Sequence, residues 1–297
     1  MILGILALGV LAQFEGRPVE VIQVGRVSVI AAPSRIGLAT ELGEIADRVV
    51  KWPGLGEREP GPLQLVIVDG ESEMKAASGG RLPDWGVGMA LPSSRVIVLR
   101  ADGGNPYQAL RHELAHLALH EAIRVRVPLW FDEGYAVIAS GELGLLGALR
   151  LNIALAGDRV PAFGKLEREL RGGPATAQTA YALAGTAVGY LARRNPENSL
   201  EALIRILESG VGFEEAVVRT TGLSVSRLEE EWQRDTKRRY GWMVWIAAGG
   251  GWVVIAGIVV LATIWRRRLD RPRREALDIG WPQPEAEPEL DRPGESS

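Results

Sequence analysis

The sequence predicts an α+β fold: a small sheet-bearing N-terminal subdomain, then a mainly helical subdomain, then one C-terminal transmembrane helix. Three observations lead there. The β-rich runs at 19–24, 27–31, 63–68 and 95–99 all lie in the first third of the chain. From Leu129 to about residue 240 the apolar positions recur at helical spacing, and the stretch 242–265 contains no charged residue at all.

Composition narrows the function before any motif is read. A formal net charge of -3 over 297 residues gives no basic field of the kind that draws nucleic acid, and no nucleic-acid motif is present. Cysteine is absent, which excludes disulfides, thiolate metal sites and a cysteine nucleophile. A metal would have to be held by histidine and carboxylate.

Taken in order, residues 1–12 (MILGILALGVLA) form an uncharged apolar run too short to span a bilayer, and Val10-x-Ala12 before Gln13 resembles a small-residue cleavage site. This reads as a signal segment and an exported protein; the missing basic n-region leaves a buried strand or helix as the alternative. Gly25-Arg26 between 19–24 and 27–31 predicts a hairpin. Residues 34–51 carry apolar positions at helical spacing up to Pro53-Gly54, which predicts a helix. Strands follow at 63–68 and 95–99, separated by a Gly-rich segment from Ser78 to Gly88. Asn105 can cap a helix with Pro106 at its first position, and helices are then expected around 130–140, 143–156, 175–194, 197–209, 212–220 and 224–240.

At about 1.5 Å per residue, 242–265 reaches roughly 36 Å, enough to cross a bilayer, with Trp242, Trp245 and Trp265 at its ends. Arginines flank it on both sides, and their excess after Trp265 favours a cytoplasmic C-terminus, with anionic lipid as the contact. The expected organisation is a signal segment at 1–12, a folded domain at 19–240 outside the membrane, a single span at 242–265, and a basic, then disordered Pro/Glu-rich tail at 266–297.

The helix expected from Pro106 carries the chemistry. All three histidines of the chain fall within 112–120, in Arg111-His112-Glu113-Leu114-Ala115-His116-Leu117-Ala118-Leu119-His120. His-Glu-x-x-His puts His112 and His116 one turn apart on one helix face, where both imidazoles can reach one metal ion and Glu113 can serve as base toward water. A catalytic zinc ion usually takes a third protein ligand. His120 lies about 12 Å along the helix from His112, too far to share the ion, and reads as a surface or supporting residue. Glu133, in Trp130-Phe131-Asp132-Glu133-Gly134-Tyr135-Ala136, is the better candidate, carried across by a second helix.

His-Glu-x-x-His followed by Trp-x-x-Glu-Gly-x-Ala resembles the gluzincin metallopeptidases, specifically the bacterial peptidase MA-like domains distantly related to thermolysin and the zinc aminopeptidases. The likeness covers about residues 20–240, with Ala180-Tyr181-Ala182 to Tyr190-Leu191, Phe213-Glu214-Glu215-Ala216 and Leu228-Glu229-Glu230-Glu231-Trp232 similar to the helical half of those domains. It implies a zincin-like fold, Zn2+ on His112, His116 and Glu133, Glu113 as general base, and a peptide or protein substrate. Tyr181, with Tyr190 as the less favoured alternative, could supply a phenol to the developing oxyanion, although each also suits an amphipathic core. Asp132 either orients a histidine or is an exposed helix-start acid. Two departures stand out: the acid expected four residues after the third ligand is Val137, and Gly86-Val87-Gly88-Met89-Ala90 resembles the aminopeptidase Gly-x-Met-Glu-Asn strand without its glutamate. The expected protein is therefore a membrane-anchored zinc metallopeptidase; the alternative is an inactive binding or scaffold module on the same fold.

Overall fold

A computed structural model describes residues 18–80, 86–142, 160–245 and 251–279. The expected signal segment at 1–12 and the expected helix at 143–156 lie outside the described residues. The chain divides into two compact units, the first ending at Val244 and the second beginning at Trp245.

In the first unit the expected hairpin forms as β1 (Glu20–Val24) and β2 (Val27–Ala31), antiparallel with Ile22 opposite Val29. Gly25 turns the chain at φ 53°, a conformation that other residues rarely adopt, and an added Cβ would stand 2.0 Å from Oδ2 of Asp47 and displace it. Asp47 Oδ1 in turn accepts the backbone N–H of Arg26 at 2.9 Å and its Nε–H at 3.0 Å. The carboxylate that holds the turn also marks where the next helix ends.

That helix, α1 (Ile36–Ala46), is shorter than the spacing predicts. Its expected last turn is instead β3 (Val50–Trp52), paired antiparallel with β4 (Gly56–Arg58). The reason is local. Asp47 is held by Arg26, Val49 and Val50 are β-branched, and extended backbone is what turns Trp52 inward, to 5 % exposure.

The principal sheet has the order β1-β2-β5-β7-β6, completed by β5 (Leu63–Val68), β6 (Gly88–Leu91) and β7 (Val96–Arg100). β5 runs parallel to β2 and to β7, and β6 pairs antiparallel to β7 as an edge strand. Alternation along β5 splits the core. Leu63, Leu65 and Ile67 join Val27, Val29, Ile97 and Leu99 in the main cluster, whereas Val66 and Val68 join Ile30, Val96, Val98 and Met74 behind the sheet. Met74 comes from α2 (Gly70–Ala77), a short helix that the sequence pattern does not announce.

Helix α3 (Pro106–Ala122) starts where predicted, with the Asn105 side chain accepting from the N–H of Tyr107 at 3.1 Å and of Gln108 at 3.3 Å. It packs on β6, β7 and α1 through a face that buries Leu110, Leu114 and Leu117. The remainder of the described residues is largely helical, as expected: α4 (Leu129–Ser140), α5 (Phe163–Leu170), which lies outside the expected helices, α6 (Pro174–Arg194), α7 (Glu201–Glu208), α8 (Phe213–Thr221) and α9 (Val225–Trp245). These helices gather around an aromatic centre in which Trp130 stacks on Phe163 at 4.1 Å and Phe163 lies 5.1 Å from Trp232. The buried Trp232 donates its indole N–H to Thr186 Oγ1 at 3.1 Å.

The single span expected over 242–265 is not found as one helix among the described residues, none of whose helices is long and apolar enough to cross a membrane. The span includes 246–250, which lie outside the described residues. The second unit contains α10 (Gly251–Ile279), whose apolar part ends at Trp265 before Arg266; that part reaches about 22 Å, short of a hydrocarbon core of roughly 30 Å. It carries Trp252, Ile258, Leu261 and Trp265 exposed. The helix continues to Ile279, so the first residues of the expected disordered tail are helical.

Candidate metal centre

Helix α3 turns His112 and His116 to one face, their ring centroids 5.0 Å apart. Helix α4, seated by the fully buried Trp130 and Phe131, presents Glu133 to them. Glu133 Oε2 lies 3.4 Å from His112 Nε2 and 3.5 Å from His116 Nε2, and the three ligand atoms fall within 4.8 Å of one another. Ligands about 2.0–2.2 Å from a tetrahedral zinc ion are themselves about 3.3–3.6 Å apart. The two nitrogen–oxygen spacings match that range and all three donor atoms lie within 4.8 Å, so the set could hold one divalent transition-metal ion. The convergence depends on Gly134. A Cβ there would stand 2.3 Å from the carbonyl oxygen of Ala184 on α6, so only glycine lets α4 approach this closely.

The other nitrogen of each imidazole is also held. His112 Nδ1 is 3.0 Å from Glu142 Oε1, and His116 Nδ1 is 2.8 Å from Asp132 Oδ1. With each Nδ1–H donating to a carboxylate, an imidazole that gives up its other proton presents its Nε2 lone pair to the site. Position 137 holds a buried core valine, and the supporting acids come from elsewhere: Asp132, just before Glu133, and Glu142, just after the left-handed Gly141 that ends α4. Sequence reasoning misses Glu142. The signal that could have found it is an acid at the exit of the helix that supplies the third ligand. His120 stands away from the three donors and bonds through Nε2 to Asp132 Oδ2 at 2.9 Å.

The charges are strongly coupled. Burial, the largest influence on His112, lowers its pKa, yet hydrogen bonds to Glu133 and Glu142 outweigh it and hold His112 up at about 9. His116 is raised well above its ordinary value against the same burial, by Asp132 and Glu133. Burial favours the neutral form of Glu133 too, but the two imidazoles hold its carboxyl down at about 2. An excess of negative charge facing two imidazoles is a receptor for a cation.

Glu113 points from α3 toward the sheet edge. Its carboxyl is buried, and desolvation raises its pKa against the attraction of both histidines and a hydrogen bond from the Ala90 backbone N–H. An added Cβ on Gly88 would lie 2.6 Å from Glu113 Oε1 and 2.9 Å from its Cγ, so a side chain there would push the base from its present place against β6. Tyr181 of α6 stands edge-on to His112, centroids 6.1 Å apart, with its phenol pKa pushed up by burial and then by Glu133, Glu113 and Glu142. Tyr190, by contrast, donates to Glu231 at 3.0 Å and packs beneath Arg193 and Arg194. His112, Glu113, His116, Glu133 and Tyr181 are thus brought together, and Tyr190 is engaged elsewhere.

The family model of the Peptidase MA superfamily matches residues 48–238, from just before β3 into α9 and across every residue of this cluster. No curated protein matches the sequence.

Proposed function

The chain belongs to the Peptidase MA superfamily, and from that premise we propose that it is a membrane-anchored, zinc-dependent peptidase of the gluzincin type. The observation that carries this reading is the convergence of His112 Nε2, His116 Nε2 and Glu133 Oε2 at the spacing one ion requires.

When bound, zinc would supply Lewis-acid polarisation of a scissile carbonyl and of water. The protein's own groups do the rest. Asp132 and Glu142 fix the imidazole tautomers, so that His112 and His116 offer Nε2 lone pairs. Glu113, with its proton affinity raised by burial, takes a proton from the attacking water and delivers it to the leaving amine. Tyr181 offers its phenol to the oxygen on which negative charge develops. The free edge of β6, beside Glu113, would align an extended peptide by backbone pairing.

Anchoring is supported by the uncharged stretch 242–265 and by the exposed apolar side chains of α10. The arginine excess after Trp265 supports a cytoplasmic C-terminus and an extracytoplasmic peptidase unit. Protease accessibility of the tail in sealed vesicles tests this topology: a tail digested from the extracytoplasmic side overturns it.

Metal analysis and peptide cleavage by the full chain in detergent test the activity. One equivalent of zinc is expected, with Glu113→Gln retaining the metal while cleavage falls about 10²- to 10⁴-fold. Stoichiometric zinc with no cleavage, unchanged by that substitution, would instead favour a binding module.

A further inference from the structure

Asp132 has two carboxylate oxygens, and each is bonded to a different histidine. Oδ1 lies 2.8 Å from His116 Nδ1, and Oδ2 lies 2.9 Å from His120 Nε2. The two rings are stacked at 6.5 Å with 28° between their planes, so the carboxylate bridges two imidazoles on successive turns of α3. Asp132 side-chain exposure is 20 % and that of His120 is 32 %, which places His120 on the solvent side of the bridge. Neither oxygen of Asp132 has another hydrogen-bond partner among the described residues. Among those residues, His120 is therefore the one side-chain hydrogen-bond donor fixing Asp132 besides the metal-facing histidine itself.

A carboxylate fixed at one oxygen can swing about its Cβ–Cγ bond; fixed at both, it holds a single plane. Rotation of Asp132 would move the acceptor that sets the tautomer and ring angle of His116, and so would misdirect His116 Nε2. We propose that His120 is a positioning residue for the metal centre: it touches neither metal nor substrate and acts on His116 only through Asp132. This rests on the reading of His112, His116 and Glu133 as a metal site. The position suits a small donor reaching in from solvent, since no other described residue supplies the second N–H.

The test is a double-mutant cycle on the full-length protein, read out as the zinc dissociation constant in competition with a chelator, with no substrate present. His120→Ala is expected to weaken zinc binding about 10- to 100-fold. His120→Gln carries an amide N–H at about the reach of Nε2 and is expected to restore binding to within a few-fold of wild type. In an Asp132→Ala background the His120→Ala change should have no further effect, because its only route to the metal is gone. Additive losses in the double variant, or His120→Ala binding zinc as wild type does, would overturn the proposal. So would failure of the glutamine variant to rescue. Circular dichroism on each variant separates loss of the site from loss of the fold, and if His120→Ala does not fold, His120→Leu, which fills the space without a donor, takes its place in both backgrounds. Absence of zinc from the wild-type protein would overturn the metal-site reading and this proposal with it, whereas zinc on the wild type with an unaffected His120→Ala overturns this proposal alone.

Discussion

Gly134 and Ala184 face each other so closely that a single methyl group has no room: a Cβ on the glycine would sit 2.3 Å from the Ala184 carbonyl oxygen and 2.6 Å from Val188 Cγ2. Backbone cannot yield as a flexible side chain can. Gly134→Ala is expected to destabilise the protein by about 1–3 kcal/mol and to push Glu133 off its two imidazoles. Denaturant unfolding and zinc titration should report both losses, and a variant with wild-type stability and affinity would refute the close-packing argument.

Glu142 touches His112 rather than the ion, so its removal should leave the fold intact and loosen the grip. Glu142→Ala is expected to raise the zinc dissociation constant about 10- to 100-fold while circular dichroism shows the metal-free protein still folded. An unchanged affinity would mean that the 3.0 Å contact does not orient the ring.

Metal uptake should depend on pH in a definite direction. His112 is held up at about 9 from an ordinary value of 6.5, and a metal takes only the neutral imidazole. Apparent zinc affinity should therefore climb as pH rises toward and through about 9, where His112 gives up its proton, with the raised His116 adding to the climb. Stability of the metal-free protein should move the other way. A raised imidazole contributes fully below 6.5 and is lost as pH rises through about 9, while the depressed Glu133 contributes above 4.5 and is lost as pH falls through about 2. Thermal midpoints with and without chelator at pH 6.5 and pH 9 check both signs; a larger metal-induced shift at the lower pH would contradict them.

Tyr181 stands beside His112 without being one of the three donors, so its loss should separate chemistry from binding. Tyr181→Phe keeps the ring contact and removes only the hydroxyl. Zinc content and KM should hold while kcat falls about 10²- to 10³-fold. A fall in zinc content instead would assign the phenol to metal retention.

Much of this site was legible in the sequence because its parts are short-range. One helical turn relates His112 to His116, and Glu133 sits in a stretch whose glycine and aromatic residues foretell a tightly packed helix. What could not be read off depends on distant surfaces. Glu142 is useful only because Gly141 turns the chain back toward α3, and Glu113 meets Gly88 only because β6 folds onto the sheet edge. The same divide runs through the fold. The β1–β2 hairpin follows from Gly25-Arg26, whereas the parallel placement of β5 between β2 and β7 joins segments far apart in sequence. The helix expected over 34–51 stops short because Arg26, at the β1–β2 turn, captures Asp47.

Both donor-bearing helices, the loop joining them and the two acids that steady the imidazoles lie in one uninterrupted stretch, 106–142. A nascent chain that has just emerged through this stretch already owns every group that would touch or brace the ion, before the later helices exist to bury it. The site is thus carried by one helical hairpin, whose second arm is seated only when α6 closes on it through Gly134 and Ala184.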